Sequence, residues 1–310
     1  MSANVTPTAP GARLHVSDEV REALASGVPV VALESTIFSN LGLPSPANAD
    51  ALARCEAAIR TSGAVPAVTV VLDGVACLGI EVDQAERVLT GTAKCAERDL
   101  PVALAQRWSV GCTTVSASLA IAAAGGVRVF ATGGIGGVHR DDHLTGDVSA
   151  DLGAIARHPV ITVTAGAKAF LDLAKTLEML DTLSVPVLGM RTDRFPAFYV
   201  RDSGLPVPHR IEHEADAARV LQARLDLGLP GGVLVANPIP AEAELDAAEI
   251  DRAIASALDD ARTGGLRGAA VTPFVLGRLA QATAGRSIPA NLALAEHNAL
   301  VGGRIAAAFV

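Results

Sequence analysis

Lysine is almost missing from this chain. Of its 25 lysine and arginine residues only Lys94, Lys168 and Lys175 are lysines. Arginine stays protonated at any working pH, whereas a desolvated lysine amine can lose its proton and attack carbon. Each position that keeps a lysine therefore draws attention. Basic runs are missing too, and the net charge is −8. Without clustered positive charge there is no footprint for a phosphate backbone, which excludes nucleic acid as a main partner. The four cysteines, Cys55, Cys77, Cys95 and Cys112, never form a C-x-x-C pair. Neither a disulfide framework nor a zinc knuckle is supported, and buried thiols in a reducing cytoplasm are expected. No apolar run approaches the roughly 20 residues of a membrane-spanning helix. Residues Met1 to Ala12 carry no basic and apolar signal regions, so a frayed N-terminus on a soluble, cytoplasmic protein with no membrane partner is expected.

What is present is apolar and alternating. Half of the 310 residues are hydrophobic, enough to bury a large core. Short valine- and isoleucine-rich runs alternate with alanine-rich segments of helical period, the pattern of a layered α/β fold. The runs predict strands at Val28–Leu33, Ala67–Leu72, Val75–Ile80, Val102–Ala105, Val127–Ala131, Val160–Thr164, Val185–Met190 and Val233–Ala236. Asp73-Gly74 predicts a hairpin between the second and third. Helices are predicted at Ala47–Ser62, Val82–Thr90, Thr114–Ala124, Ala167–Leu183, Ala215–Leu227, Glu242–Arg262, Pro273–Ala284 and Asn291–Ala308. With no repeat or linker, one domain with a helical C-terminal third is expected, an α/β/α arrangement around a mixed, largely parallel sheet.

Polar residues interrupt the pattern at strand ends: Glu34-Ser35-Thr36, Thr132-Gly133-Gly134, Gly166-Ala167-Lys168 and Asn237-Pro238. Ligands of open α/β sheets sit beyond the carboxyl ends of strands, so the four groups are expected to converge on one cleft. Lys168 sits at a strand-to-helix turn, where it is either a reactive amine or an ion-pair partner of Asp172. Glu34 ends an apolar run, and a carboxyl at that depth pairs with a cation or stays protonated, both useful in acid–base work. The run from Ala131 to Arg140 holds four glycines in five positions, which suggests a backbone nest for phosphate with His139 and Arg140 beside it, the alternative being a glycine-rich turn of purely structural use. It fits neither a dinucleotide fingerprint nor a Walker loop. Asp147 and Asp151, four residues apart, would share a helix face if the segment is helical, and are expected to contact substrate or a hard divalent cation, magnesium or manganese rather than zinc. Asp141 and Asp142 read as solvated acids, Lys175 as solvated and Trp108 as packing.

Taken together these motifs resemble the pseudouridine-5′-phosphate glycosidases. The resemblance rests on Glu34-Ser-Thr-Ile, Gly63-Ala-Val-Pro-Ala, Lys94 with Arg98-Asp-Leu-Pro101, Thr113-Thr-Val115, the glycine run, Asp147-Val-Ser-Ala-Asp-Leu152, Ala165-Gly-Ala-Lys168, Val235-Ala-Asn-Pro-Ile-Pro240 and Thr272-Pro-Phe274. It covers nearly the whole chain and implies one α/β catalytic domain over residues 13–310. It further implies reversible cleavage of pseudouridine 5′-phosphate to uracil and ribose 5-phosphate, one manganese ion per subunit and a homotrimer. Lys168 then matches the nucleophile that takes C1′ of the opened ribose as a Schiff base, Glu34 the proton donor, and Asp147 the metal ligand. Lys94, Val115, Thr132, His139, Ser149, Ala150, Asp151 and Asn291 match substrate-binding positions. The chemistry agrees with the residues, because a C–C bond to uracil offers no leaving heteroatom to protonate and an ordinary carboxylate pair is insufficient. Two segments depart from the family pattern: Phe38-Ser-Asn-Leu-Gly-Leu-Pro44, one residue longer and without a histidine, and Ala269-Ala270, where relatives carry a charged pair. The competing readings are a noncatalytic sugar-phosphate or nucleotide-binding protein and a metal-dependent phosphatase.

Overall fold

A computed structural model describes residues 14–266 and 271–309. The segment 1–12 and the pair Ala269-Ala270 lie outside the described residues. Among the described residues eleven strands make a single sheet: β1 (Leu14–Val16), β2 (Val30–Leu33), β3 (Val65–Leu72), β4 (Val75–Leu78), β5 (Lys94–Cys95), β6 (Val110–Thr113), β7 (Val129–Ala131), β8 (Ile161–Thr164), β9 (Val187–Met190), β10 (His209–Ile211) and β11 (Val233–Ala236). The described α-helices are α1 (Asp18–Ser26), α2 (Ala47–Thr61), α3 (Ala85–Leu89), α4 (Leu100–Ala105), α5 (Val115–Ala124), α6 (Asp142–Thr145), α7 (Ala150–Arg157), α8 (Leu173–Thr182), α9 (Glu214–Asp226), α10 (Ala247–Thr263), α11 (Val271–Ala282) and α12 (Ser287–Ala307).

The sheet runs in the order β1-β4-β3-β2-β7-β8-β11-β9-β10. From β3 through β2, β7, β8, β11 and β9 to β10 every pairing is parallel. The eight-residue β3 changes partners along its length. Val65–Val68 pair with β2, while the second half pairs antiparallel with β4 and β6, and β6 takes β5 on its far side. The β3–β4 connection is the hairpin that Asp73-Gly74 predicts, with φ of 51° and 77°. The central strands are buried on both faces, hence continuous apolar runs such as Val30-Val-Ala-Leu33. Helix α12 covers β2, β7 and β8 together with α2 and α9, and α5 packs on β2, β3 and β7 with α7 beside it. The approach of α12 is close: a Cβ on Gly302 would stand 3.3 Å from Ala131 Cβ and 3.4 Å from Val31 Cγ1.

The expected layered α/β fold is therefore present, with three local corrections. Val102–Ala105 is not a strand but part of α4, which Pro101 opens in its first turn. A four-residue apolar run carries no period that separates helix from strand. The true neighbouring strand, β6, reads Val110-Gly-Cys-Thr113, and its glycine and threonine hide it. The helix predicted from Ala167 starts only at Leu173, where the Asp172 carboxylate accepts from the Lys175 N–H at 3.0 Å. Likewise α10 starts at Ala247, capped by Asp246.

Candidate active site

A cleft of about 340 Å³ opens beyond the carboxyl ends of β2, β6, β7 and β8. Glu34, Lys94, Val115, His139, Asp147, Ser149, Ala150, Asp151, Lys168 and Asn291 all line it. Thr132 does not. It is buried, and its Oγ1 donates to the Glu34 carboxylate. Asn237, expected in the cleft, also lies behind it and bonds to Asn298 and His297 instead. A second cavity of about 460 Å³ lies on the other side of the Lys168 turn, lined by Arg140, Asp172, Asp202 and Asp251. Neither Glu34 nor Lys168 reaches it.

Lys168 is held by main-chain pairing rather than by a helix. Beyond β7 the glycine-rich chain stays extended beside the turn after β8: Ile135 N–H donates to Gly166 O, and Lys168 N–H to Ile135 O, both at 3.1 Å. Gly166 has φ of 85°, and a Cβ there would stand 2.1 Å from Pro196 O, so no larger residue fits. The ion pair of Lys168 with Asp172 is absent, since Asp172 caps α8 and stands 3.8 Å from Lys175 Nζ. Lys175 pairs with Asp142 at the surface. Opposite Lys168, the Glu34 carboxyl is only 8 % exposed. Its burial raises the pKa above the usual carboxylate range, although the Lys168 charge and the Thr132 hydroxyl pull the other way. Lys94 has an open path to solvent, yet the cleft walls and the Lys168 charge lower its pKa. A carboxyl whose pKa is raised by burial thus faces the amines of Lys168 and Lys94 in one cleft.

The glycine run is not an anion nest. None of its four glycines has a positive φ, and the Gly136 N–H is donated to Asp151 at 2.9 Å. The glycines are there for close packing: a Cβ would lie 2.4 Å from the Phe198 ring at Gly134, 2.2 Å from Ser149 Oγ at Gly136, and 2.3 Å from Thr176 Oγ1 at Gly137. Nor do Asp147 and Asp151 share a helix face, because α7 begins at Ala150, after Asp147. Both oxygens of Asp151 are taken, by the N–H groups of Ser116 at 3.0 Å and Gly136 at 2.9 Å. It ties the start of α5 to the glycine run. Asp147 stays half-exposed on the cleft, 3.7 Å from His139 Nε2. Among the described residues no three His, Cys, Asp or Glu side chains group to enclose an ion. A divalent cation would have Asp147 and water as ligands, a set that strongly hydrated cations accept.

Asn291 Oδ1 is buried without a hydrogen-bond partner on the cleft wall. Such an acceptor costs on the order of 1–3 kcal/mol until a donor meets it, which marks it for a ligand N–H or O–H. Several lining residues had no sequence signal: Leu41 from the lengthened loop, Phe170, Phe198 and Leu276 of α11. Apolar side chains here look like core in a sequence, and only the fold turns them towards an opening. Trp108 packs beside Val71, Cys95 and Ala103, and the four cysteines are buried free thiols.

Residues 19–308 match the family described as indigoidine synthase A like protein. Pseudouridine-5′-phosphate glycosidase from Myxococcus xanthus is 48% identical over 299 residues, 96% of this chain and 98% of that protein. The glycosidase of the same name from Rhodospirillum centenum is 54% identical over 297 residues, 96% of this chain and 92% of its own length. Among solved structures, the prealnumycin C-glycosynthase AlnA in complex with ribulose 5-phosphate has a TM-score of 0.88 at 38% identity, over 97% of this chain and 98% of its own. An indigoidine synthase A (IdgA)-like protein from Thermotoga maritima has a TM-score of 0.86 at 33% identity, over 96% and 97%.

Proposed function

This chain belongs to the indigoidine synthase A-like family of pseudouridine-5′-phosphate glycosidases, and from that premise we propose that it reversibly cleaves pseudouridine 5′-phosphate to uracil and ribose 5-phosphate. The observation that carries the reading is the meeting of a buried Glu34, its pKa raised by desolvation, with Lys168 in one cleft. The Lys168 amine attacks C1′, and Glu34 gives its proton to the ring oxygen as the C1′–oxygen bond opens. The Glu34 carboxylate takes a proton from the attached nitrogen, whose lone pair then forms the iminium as the bond to C5 of uracil breaks, and that proton passes from Glu34 to C5. Water hydrolyses the imine, returning the amine and releasing ribose 5-phosphate. Lys94, with Arg98 on the same wall, supplies positive charge for the substrate phosphate, and Asn291 Oδ1 accepts from the base or sugar.

A manganese ion, one per subunit, is proposed at Asp147, where it would add fixed positive charge beside the substrate. Asp147 alone is a sparse ligand set, so water completes it. A homotrimer is proposed as well, supported by Leu144, 77% exposed, and Val148 at the cleft mouth, apolar surface that a neighbouring copy would cover; light scattering tests it. No described helix is long and apolar enough to cross a membrane, and the free buried thiols support a cytoplasmic location. The deciding assay is uracil release from pseudouridine 5′-phosphate with and without manganese. Inorganic phosphate without uracil would make the protein a phosphatase, and binding without either product would make it a noncatalytic sugar-phosphate receptor.

A further inference from the structure

Asn298 lies on α12, fully buried at 0% exposure, and does not line the cleft. Its side-chain amide nevertheless holds the turn on which the site depends. Nδ2 donates to Thr132 O at 2.8 Å and to Gly133 O at 3.3 Å. Oδ1 accepts from Asn237 Nδ2 at 2.9 Å. Asn237 is itself fixed at the end of β11, its N–H donating to Thr164 O at 2.8 Å and its Nδ2 standing 3.2 Å from His297 Nδ1. A buried amide with both ends engaged has one orientation available, and losing it strands carbonyls where water cannot replace the donor.

The two carbonyls lead in different directions. Thr132 carries the hydroxyl that donates to Glu34. Gly133 O also accepts from Ala165 N at 3.0 Å and Thr164 Oγ1 at 3.4 Å, and Ala165 opens the turn that ends in Lys168. The Thr132 backbone is also tied to β8, by its N–H bond to Val163 O at 3.0 Å. The geometry points to Asn298 as a positioning residue that sets Glu34 and Lys168 relative to each other, with Asn237 as its anchor on β11. This role rests on the glycosidase reading for its consequence in catalysis, though not for the placement itself.

The test compares Asn298→Leu, which keeps the volume and removes the amide, with Asn298→Ala, each checked for folding by circular dichroism and a thermal melt. With pseudouridine 5′-phosphate, kcat should fall roughly ten- to hundredfold while KM stays within about threefold. The loss should be non-additive with Thr132→Val, because both changes release the same contact to Glu34. The groups facing Glu34 are Lys168, Lys94 and Asp151. The Thr132 bond favours the ionised carboxylate, so the limb of the kcat–pH profile that reports Glu34 should move to higher pH. Unchanged kcat, or a loss additive with Thr132→Val on an unmoved profile, overturns the positioning role. Wild-type protein that releases no uracil would tell against the reaction instead. The placement is then read without turnover, by a carbon NMR titration of the Glu34 carboxyl: a midpoint raised in Asn298→Leu upholds it, and an unmoved one overturns it.

Discussion

Lys168 stands on a turn ahead of α8 and has no ion pair with Asp172, so its role rests on what faces it across the cleft. Borohydride added with ribose 5-phosphate should reduce an imine and add the sugar to a peptide containing Lys168. Mass on the peptides of Lys94 or Lys175 instead would remove Lys168 from the role. Lys94, desolvated in the cleft and beside the Lys168 charge, is assigned to the phosphate. Lys94→Ala should cost about ten- to hundredfold in kcat/KM on pseudouridine 5′-phosphate, the weight of one charge-assisted bond, and change the residual rate with pseudouridine by less than about threefold. Equal losses on both substrates would move Lys94 to the sugar or base. Asp147→Asn removes the one free carboxylate at the proposed ion site and should abolish the manganese response with the melting temperature unchanged; a superimposable manganese titration would reject the site. At this scale the sequence was informative because rare chemistry stands out: a lysine in an arginine-rich chain and a carboxyl after Val30-Val-Ala-Leu33 need no structure to be noticed.

Elements decide what those residues touch. The glycines after β7 read as phosphate-binding in the sequence, but spacing alone cannot report φ, and none of the four has a positive φ. Their true constraint is steric and comes from elements far along the chain: Phe198, Ser149 and Thr176. Gly134→Ala should therefore destabilise the fold by about 1–3 kcal/mol, the cost of overpacking, and lower kcat by displacing Phe198 and the Lys168 turn. Urea unfolding measures the first and uracil release the second. Wild-type values for both would mean that the Phe198 ring yields freely. Asp151 teaches the same lesson. Its spacing from Asp147 suggested shared ligation, yet the start of α7 falls between them, and Asp151 spends both oxygens on the amides of Ser116 and Gly136. Helix boundaries are set by caps such as Ser149 and Asp172, which periodicity does not locate.

Over the whole molecule, burying Glu34 makes stability depend on pH with a definite sign. Its pKa in the folded chain is raised above 4.5, the value of the unfolded group. Its contribution is thus fully present below about 4.5 and is lost as the pH rises through the folded pKa, where a charged carboxylate must be kept buried. Glu34→Gln should melt higher than wild type near pH 8, by roughly 2 to 4 °C for each kcal/mol relieved, with the gap closing near pH 4.5, while activity is lost. A gap that is constant with pH would mean that the carboxyl is not under this desolvation.

The sequence by itself determined the alternating α/β pattern, the largely parallel sheet, the hairpin at Asp73-Gly74 and the ionisable residues Glu34, Lys168 and Asp147 of the cleft, because burial period and rare ionisable groups are local properties of a chain. It did not determine that Thr132 faces Glu34 rather than substrate, that Asp151 binds amides rather than metal, or that Asn298 on the last helix holds the turn beside β7. Those outcomes depend on which segments meet across 35 to 166 residues, and that meeting exists only once the sheet is ordered and α12 has closed over it.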